Sequence, residues 1–394
     1  MTSPVYVVGY GMIDGLGNNP SDCFSRMMDT IDYSIDIPCM IEKNEKHHKG
    51  IRVDMETALV SHVPNKTLRA LTNSQILALH ATEQALQMSK LPLNSDVAVI
   101  FSSVSSAAET TEEFISSVKV GKRVNPRRAV NRITDMVPAM ICNQYGFMGA
   151  SLSLQAACST GLYTIDYAQR LCDEYEYVVV GASDYNTYYE QVKFFSVLGA
   201  LGNHNCPFDD KREGFMIGDG GGCLILQSEK KVKEYNSTIY AKLYPSGYAS
   251  DAFDETAPAP DNRGARISIT KALNNANLDK SDIDVVSSHG TSTLIGDPIE
   301  YKVIHDLFGT VPIYAPKSKI GHTLGAAGVL ECIYSILSMK NKVIPHCQNL
   351  EVCSFDDINL LSKTSRKLED KTLRTLNNSF AFGGKCISQI IEVS

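Results

Sequence analysis

The chain has 394 residues, 43% of them apolar and 21% charged, with a net charge of −7. That is enough chain to bury a large core, and the composition is that of a globular protein rather than a disordered or fibrous one. The acidic balance argues against general affinity for nucleic acid or an anionic membrane, so neither is expected as a partner. Met1-Thr-Ser-Pro-Val-Tyr runs into a strand pattern with no basic leader. The longest apolar helical stretch, Leu324–Leu337, contains Glu331 and is too short for a bilayer. Eleven cysteines without a Cys-x-x-Cys pair give neither a disulfide framework nor a zinc spacing. The expectation is a cytoplasmic protein with reduced thiols and no metal.

Val5–Gly9 reads as a buried strand that ends in Gly9-Tyr-Gly11 and Gly15-Leu-Gly17, without the full dinucleotide fingerprint. Ser21–Asp29 suits a helix. Residues 31–65 look irregular, with Glu42–Lys49 a solvated loop and His47-His48 loop residues. Ser74–Met88 carries apolar residues at helical spacing, and Val97–Phe101 is a buried strand. Lys122, Arg123, Arg127, Arg128 and Arg132 form a basic cluster ahead of the apolar helix Met136–Tyr145. Tyr177–Ser183 and Cys223–Gln227 are further strands, the second preceded by a glycine run, Gly218–Gly222, that suits close packing. A second half begins near Tyr235. It offers a strand over Ile239–Tyr248, a proline-rich loop over Asp251–Gly264, a helix over Ile267–Asn275 and a strand over Asp284–Ser288 ending at His289. Alternating strands and helices indicate an α/β protein, divided here into residues 1–234 and 235–394, with no internal repeat visible in the sequence.

One stretch carries nucleophile chemistry. Leu152 and Leu154 alternate with polar neighbours, small residues follow, and Leu162, Ile165, Ala168 and Leu171 recur at helical spacing. Cys158 therefore falls on a tight strand-to-helix turn, beside the first free N–H groups of the helix, where the dipole favours thiolate. This is the arrangement of a nucleophile elbow with Cys in place of Ser. A buried cysteine acting as a small hydrophobe is the plain alternative.

Three further stretches concentrate polar residues among small ones: His289–Glu300, Lys317–Gly328 and Asn377–Gly384. Taken in this order with Cys158 and with Pro207-Phe-Asp through Gly214-Phe215, they resemble the elongating β-ketoacyl-[acyl-carrier-protein] synthases. These are condensing enzymes of the thiolase-like family, and the resemblance runs from Gly9 to Gly384. It implies a thiolase-like fold of five αβαβα layers in two similar halves, with the site between them. It matches Cys158 to the acylated nucleophile, and His289 and His322 to the two active-site histidines. Lys317 matches a lysine paired with the acid matched by Glu300. Phe382 matches an oxyanion-hole residue and gate, and Phe380 its neighbour on the acyl pocket. Thr291 and Thr293 match pantetheine contacts, and Val104 an acyl-gate position. No bound cofactor is implied, since the phosphopantetheine arrives on the acyl carrier protein.

The chemistry suits these residue types. An acyl group moves from a carrier thioester to Cys158, with backbone N–H donors stabilising the oxyanion. A malonyl thioester then loses CO₂ to give an enolate, which two histidine N–H donors would stabilise. Starter-unit synthases that resemble this fold carry Asn where His322 stands, and thiolases a second reactive Cys where Phe380-Ala-Phe382 stands. Ala381, Lys385-Cys386, Cys206 and Ser102–Ser106 depart from the family pattern, which suggests a specialised member in fatty acid or polyketide/aryl-polyene synthesis. The alternative is a chain-length-factor-like subunit that shapes a partner's pocket, though such subunits lack the nucleophilic Cys. The expected assembly is a homodimer, or a heterodimer with a Cys-lacking paralogue. Lys66 and Arg69 are the expected carrier-protein docking pair, and Arg127 and Arg128 are assigned to subunit contacts.

Overall fold

Strands such as Val97–Phe101 and Tyr177–Val180 are apolar on both faces, which only a sheet covered on both sides accommodates. The computed structural model meets that demand. It describes residues 3–37, 48–61, 63–355, 359–360 and 364–394, apart from the side chains of Asn65, Lys66, Glu113 and Arg127. Strands Val5–Asp14, Ala98–Ser102, Ser151–Leu152, Val178–Asp184 and Gly220–Ser228 form the first half of one large sheet. Their spatial order is third, second, fourth, fifth, first, paired parallel, parallel, antiparallel, antiparallel. In the second half Gly247–Ser250, Val285–Ser287, Pro312–Tyr314, Leu373–Ala381 and Lys385–Val393 repeat that order and that series of pairings. The short strand Ala241–Leu243 pairs with both Val5–Asp14 and Lys385–Val393 and so joins the halves.

Three apolar clusters define the layers. Helices Asn73–Ser89 and Met136–Tyr145 pack on the outer face of the first half, through Ala78, Ala81, Ala85, Val137 and Ile141. Arg263–Ala276 and Gly296–Phe308 cover the outer face of the second, through Ile269, Leu273, Val303 and Ile304. Between the halves lie Thr160–Leu171 and Ala327–Lys340, whose Leu162, Ile165, Val329, Ile333 and Ile336 belong to one core reaching both. This is the five-layer αβαβα thiolase-like sandwich. The interior helices touch at glycines. A Cβ on Gly161 would lie 2.8 Å from the carbonyl oxygen of Gly325, and one on Gly328 would lie 2.8 Å from the N of Leu162. Backbone meets at both positions, joined at Gly328 by the Leu162 side chain, so neither tolerates a larger residue.

Several expectations need correction. The first strand does not end at Gly9 and Gly11; both lie inside it, and a Cβ on either would reach backbone of the Asn73–Ser89 helix. Ile239–Tyr248 is two short strands, because Pro245 between them has no N–H for the ladder. Residues 31–65 contain strands Ile35–Ile37 and His48–Ile51, and His48 is a buried strand residue whose Nε2 lies 3.1 Å from Ser196 Oγ. His47 and most of the proposed 42–49 loop lie outside the described residues. Among the described residues no helix is long and apolar enough to cross a membrane.

Candidate active site

Cys158 sits in the Ala157–Ser159 turn that leads into the Thr160–Leu171 helix. The preceding Ala157 is left-handed, at φ 49°, a conformation that a non-glycine residue holds only when its surroundings enforce it. Thr160 enforces it: its hydroxyl donates to Ala157 O at 2.7 Å and accepts from Ala156 N–H at 2.9 Å. The hydroxyl of Ser379, from the second half, donates to Cys158 O at 3.3 Å. Cys158 and Phe382 pack against an apolar cluster that includes Phe195, Phe215 and Leu324. That burial pushes the thiol up to about 11 against the opposing charge of Lys317. Cys158 therefore rests as a thiol. The expected thiolate beside the helix start is not what this environment favours, because desolvation outweighs the nearby positive charge.

His289 follows the Val285–Ser287 strand, and its loop is held by a carboxylate. The N–H groups of His289 and Gly290 donate to the two oxygens of Glu300 at 2.7 and 2.8 Å. Lys317 Nζ lies 3.3 Å from His289 Nδ1. His322 is held by its own N–H donating to Met216 O at 2.8 Å. Its Nδ1 accepts the N–H of Leu324 at 3.3 Å, which left-handed Leu324, at φ 51°, turns back towards the ring. In both rings Nδ1 faces a donor, so the proton of each neutral imidazole is assigned to Nε2. Burial and the Lys317 charge push both histidines well below the ordinary range, so both are neutral at pH 7. The rings stand 5.6 Å apart, nearly perpendicular. They share with Cys158, Thr291, Thr293, Phe380 and Phe382 a cleft of about 410 Å³.

The site corrects one pairing. Lys317 forms its ion pair with Glu331, not with Glu300, and both members are wholly buried. Glu300 serves the His289 loop instead, and burial pushes both Glu300 and Glu331 up to about 7. Glu331 was the missed residue; its signal was its solitude as the one charge in the Leu324–Leu337 run. Val104 does not line this cleft. Its N–H donates to buried Asp184 at 2.8 Å, alongside Ser103 and Ser105, and it packs beside Gly325. Thr291 and Thr293 bond each other at 3.1 Å through their hydroxyls, and Phe380 stands 5.9 Å from the His289 ring. Phe382 heads the Phe382–Gly384 connection between the last two strands. Of the Pro207-Phe-Asp motif, Phe208 donates its N–H to Asp297 and Asp209 accepts from Glu351 and Val352, so the motif ties loops together. Cys206 is buried, and Cys386 is a buried residue of the Lys385–Val393 strand. Arg69 is exposed and the side chain of Lys66 lies outside the described residues; neither lines the cleft. Arg128 is committed to Leu71 O at 2.9 Å, and the side chain of Arg127 lies outside the described residues.

Residues 2–232 match the family model for the beta-ketoacyl synthase N-terminal domain, and residues 240–351 match that for its C-terminal domain. A 3-oxoacyl-[acyl-carrier-protein] synthase 2 of Coxiella burnetii is 27% identical over 96% of each chain. A mitochondrial 3-oxoacyl-[acyl-carrier-protein] synthase of Arabidopsis thaliana is 33% identical over 67% of this chain and 60% of its own. Among solved structures, the ketosynthase ApeO in complex with its chain length factor ApeC, from Xenorhabdus doucetiae, matches with a TM-score of 0.84 at 25% identity, covering 100% of this chain and 98% of that one. The ishigamide ketosynthase/chain length factor matches with a TM-score of 0.89 at 23% identity over the whole of both chains. Cleft, fold and comparisons agree, and the chain belongs to the beta-ketoacyl synthase family of acyl-transferring condensing enzymes.

Proposed function

We propose that this chain catalyses the decarboxylative condensation of a malonyl-carrier thioester with an acyl group held on Cys158. The observation that carries this reading is the pair of neutral imidazoles, each with its Nδ1 occupied, in the cleft that holds the thiol. In the first half-reaction Cys158 attacks the acyl-carrier thioester, the carrier thiol departs, and the thiol proton ends on the departing sulfur. The N–H groups of Cys158 and Phe382 are the proposed oxyanion donors. In the second, the malonyl carboxylate leaves as CO₂ and the electron pair of the broken bond becomes a thioester enolate. The two Nε2–H donors stabilise its oxygen, where an anionic base would oppose it. The enolate carbon then attacks the acyl-Cys158 carbonyl. A β-ketoacyl carrier thioester leaves, longer by two carbons, and the Cys158 sulfur is freed to take up a proton. The Lys317–Glu331 pair holds the His289 ring in register and Glu300 holds its loop; these are positioning residues.

Incubation with acyl-carrier proteins bearing different chains, followed by intact-mass analysis, tests this reading. An acyl adduct that maps to Cys158 and is absent in Cys158→Ala is expected; an adduct on any other cysteine refutes it. A pocket-shaping subunit without chemistry is the weaker reading, because Cys158, His289 and His322 are all present in one cleft. The phosphopantetheine arm comes with the carrier, and Thr291 and Thr293 are its proposed contacts. Assembly as a homodimer, or with a Cys-lacking paralogue, in the cytoplasm belongs to the same reading. So does docking at Lys66 and Arg69. Reversal of both charges should raise KM for carrier substrates with little change in kcat, an effect that added salt shrinks, while small pantetheine thioesters are unaffected.

A further inference from the structure

Asn262 immediately precedes the Arg263–Ala276 helix, where an Asn side chain ordinarily bonds the first free N–H groups. Here it makes no such bond. Its backbone is left-handed, at φ 50°. Its backbone N–H is used on Ala259 O at 2.9 Å, and its carbonyl accepts Arg266 N–H at 3.0 Å. The side-chain amide is left over. Nδ2 and Oδ1 are both buried without a hydrogen-bond partner, in a residue that is 3% exposed. Asn262 nevertheless stands in the wall of the cleft that holds Cys158 and both histidines. Its loop is fixed by other groups. Asp251 accepts Ala259 N–H at 2.9 Å and donates its own N–H to Gly384 O at 2.9 Å.

A buried amide with neither donor nor acceptor satisfied is destabilising twice over, and where it stands in a cleft wall a bound ligand is the partner to test for. We propose that Asn262 is a substrate-recognition residue. Its amide pairs with a neutral group of the bound thioester that offers both an acceptor and a donor, as a secondary amide does. An apolar chain would leave the amide unpaired, and an ion would be met better by a charged partner. Such a group can come from the amides of the pantetheine arm or, with a water beside it, from an oxygen on the acyl chain. The inference rests on the ketosynthase reading for the nature of its ligand, and its test is one of binding rather than turnover.

The parent for the test is Cys158→Ala, in which no probe can react, and Asn262→Gly is added to it because glycine holds the left-handed backbone without strain. Calorimetry measures octanoyl-pantetheine, with two amides, against S-ethyl thiooctanoate, with none. Asn262→Gly should weaken the first roughly tenfold and leave the second unchanged. If instead the loss appears with S-ethyl 3-oxothiooctanoate and not with octanoyl-pantetheine, the acyl chain is the source. Equal losses for all probes, no loss for any, or a parent that binds none of them overturns the proposal; an internal water alone would then satisfy the amide. Should Asn262→Gly fail to fold, as read by thermal unfolding, Asn262→Asp removes the donor at constant shape and the same criteria apply. A wild-type protein that is not acylated by acyl-carrier protein, but shows the binding difference, would sink the ketosynthase reading and leave this inference standing.

Discussion

In the first half the chain leaves the Ser151–Leu152 strand through the Ala157–Ser159 turn into the Thr160–Leu171 helix. In the second it leaves Pro312–Tyr314, passes Lys317 and His322, and enters Ala327–Lys340 through the Leu324–Ala326 turn. The two turns are equivalent. Each opens on a left-handed non-glycine residue, Ala157 or Leu324, and each helix carries a glycine four residues on, Gly161 or Gly328. Cys158 thus falls opposite Gly325. A side chain cannot stand at that second place, since a Cβ on Gly325 would lie 2.6 Å from Val104 Cγ2 and 2.8 Å from Asp184 Oδ2. One strained frame serves two purposes. In the first half it presents the Cys158 thiol to the cleft; in the second its left-handed residue gives its N–H to His322. The Cys158 side chain is enclosed by apolar packing, whereas the histidine rings are met by donors and one buried charge pair.

The largest effect should come from breaking the charge pair. Lys317→Met leaves Glu331 buried without a partner and should cost about 3–5 kcal/mol of stability in denaturant unfolding. The double variant Lys317→Met/Glu331→Leu should recover most of that stability while decarboxylation stays lost, because His289 Nδ1 has no donor. Recovery of both would show that the pair is structural only. His322→Asn should slow malonyl decarboxylation by about 10²–10³-fold, as expected for losing one oxyanion donor, and slow acylation of Cys158 much less. Timing the half-reactions separately decides this, and equal losses would make His322 the base for the thiol. Gly325→Ala probes the equivalence of the turns. It should cost about 1–3 kcal/mol through overpacking against Val104 and Asp184, and a wild-type melting curve would contradict the crowding. The smallest effect is one of pH. A thiol pushed up to about 11 is scarcely ionised at neutrality. Alkylation of Cys158 by iodoacetamide should therefore be slow at pH 7 and rise about tenfold per pH unit up to pH 10, because only the thiolate reacts. A plateau near neutrality would show that Lys317 and the helix start overcome burial.

Most of the frame was legible because its signals are local. The Met136–Tyr145 helix and the Cys158 turn follow from apolar spacing and small residues, and the histidines stand at strand and loop ends rich in glycine. What was not legible depends on contacts across the chain. Lys317 has two buried acids within reach of its loop, and only the fold decides that Glu331 takes it while Glu300 takes two backbone N–H groups. The repeat between the halves is not legible in the sequence because it is written in strand order and backbone conformation. Of the side chains in the two turns and helix starts, little beyond Gly161 and Gly328 is shared. The surroundings disfavour the expected thiolate for a related reason, since the helix start is visible in sequence but the apolar cluster around Cys158 is not.

The glycine-to-backbone crossing of the interior helices has a mechanical consequence. Gly161 and Gly328 lock Thr160–Leu171 against Ala327–Lys340 at main-chain distance, inside a core whose residues come from both halves. Hinging the halves apart would expose that core, at about 1.5–3 kcal/mol for each large side chain laid bare. The halves therefore behave as one rigid block. Any widening of the cleft therefore falls to the surface segments that line it, Asp251–Asn262 and Phe382–Gly384, and not to a parting of the halves.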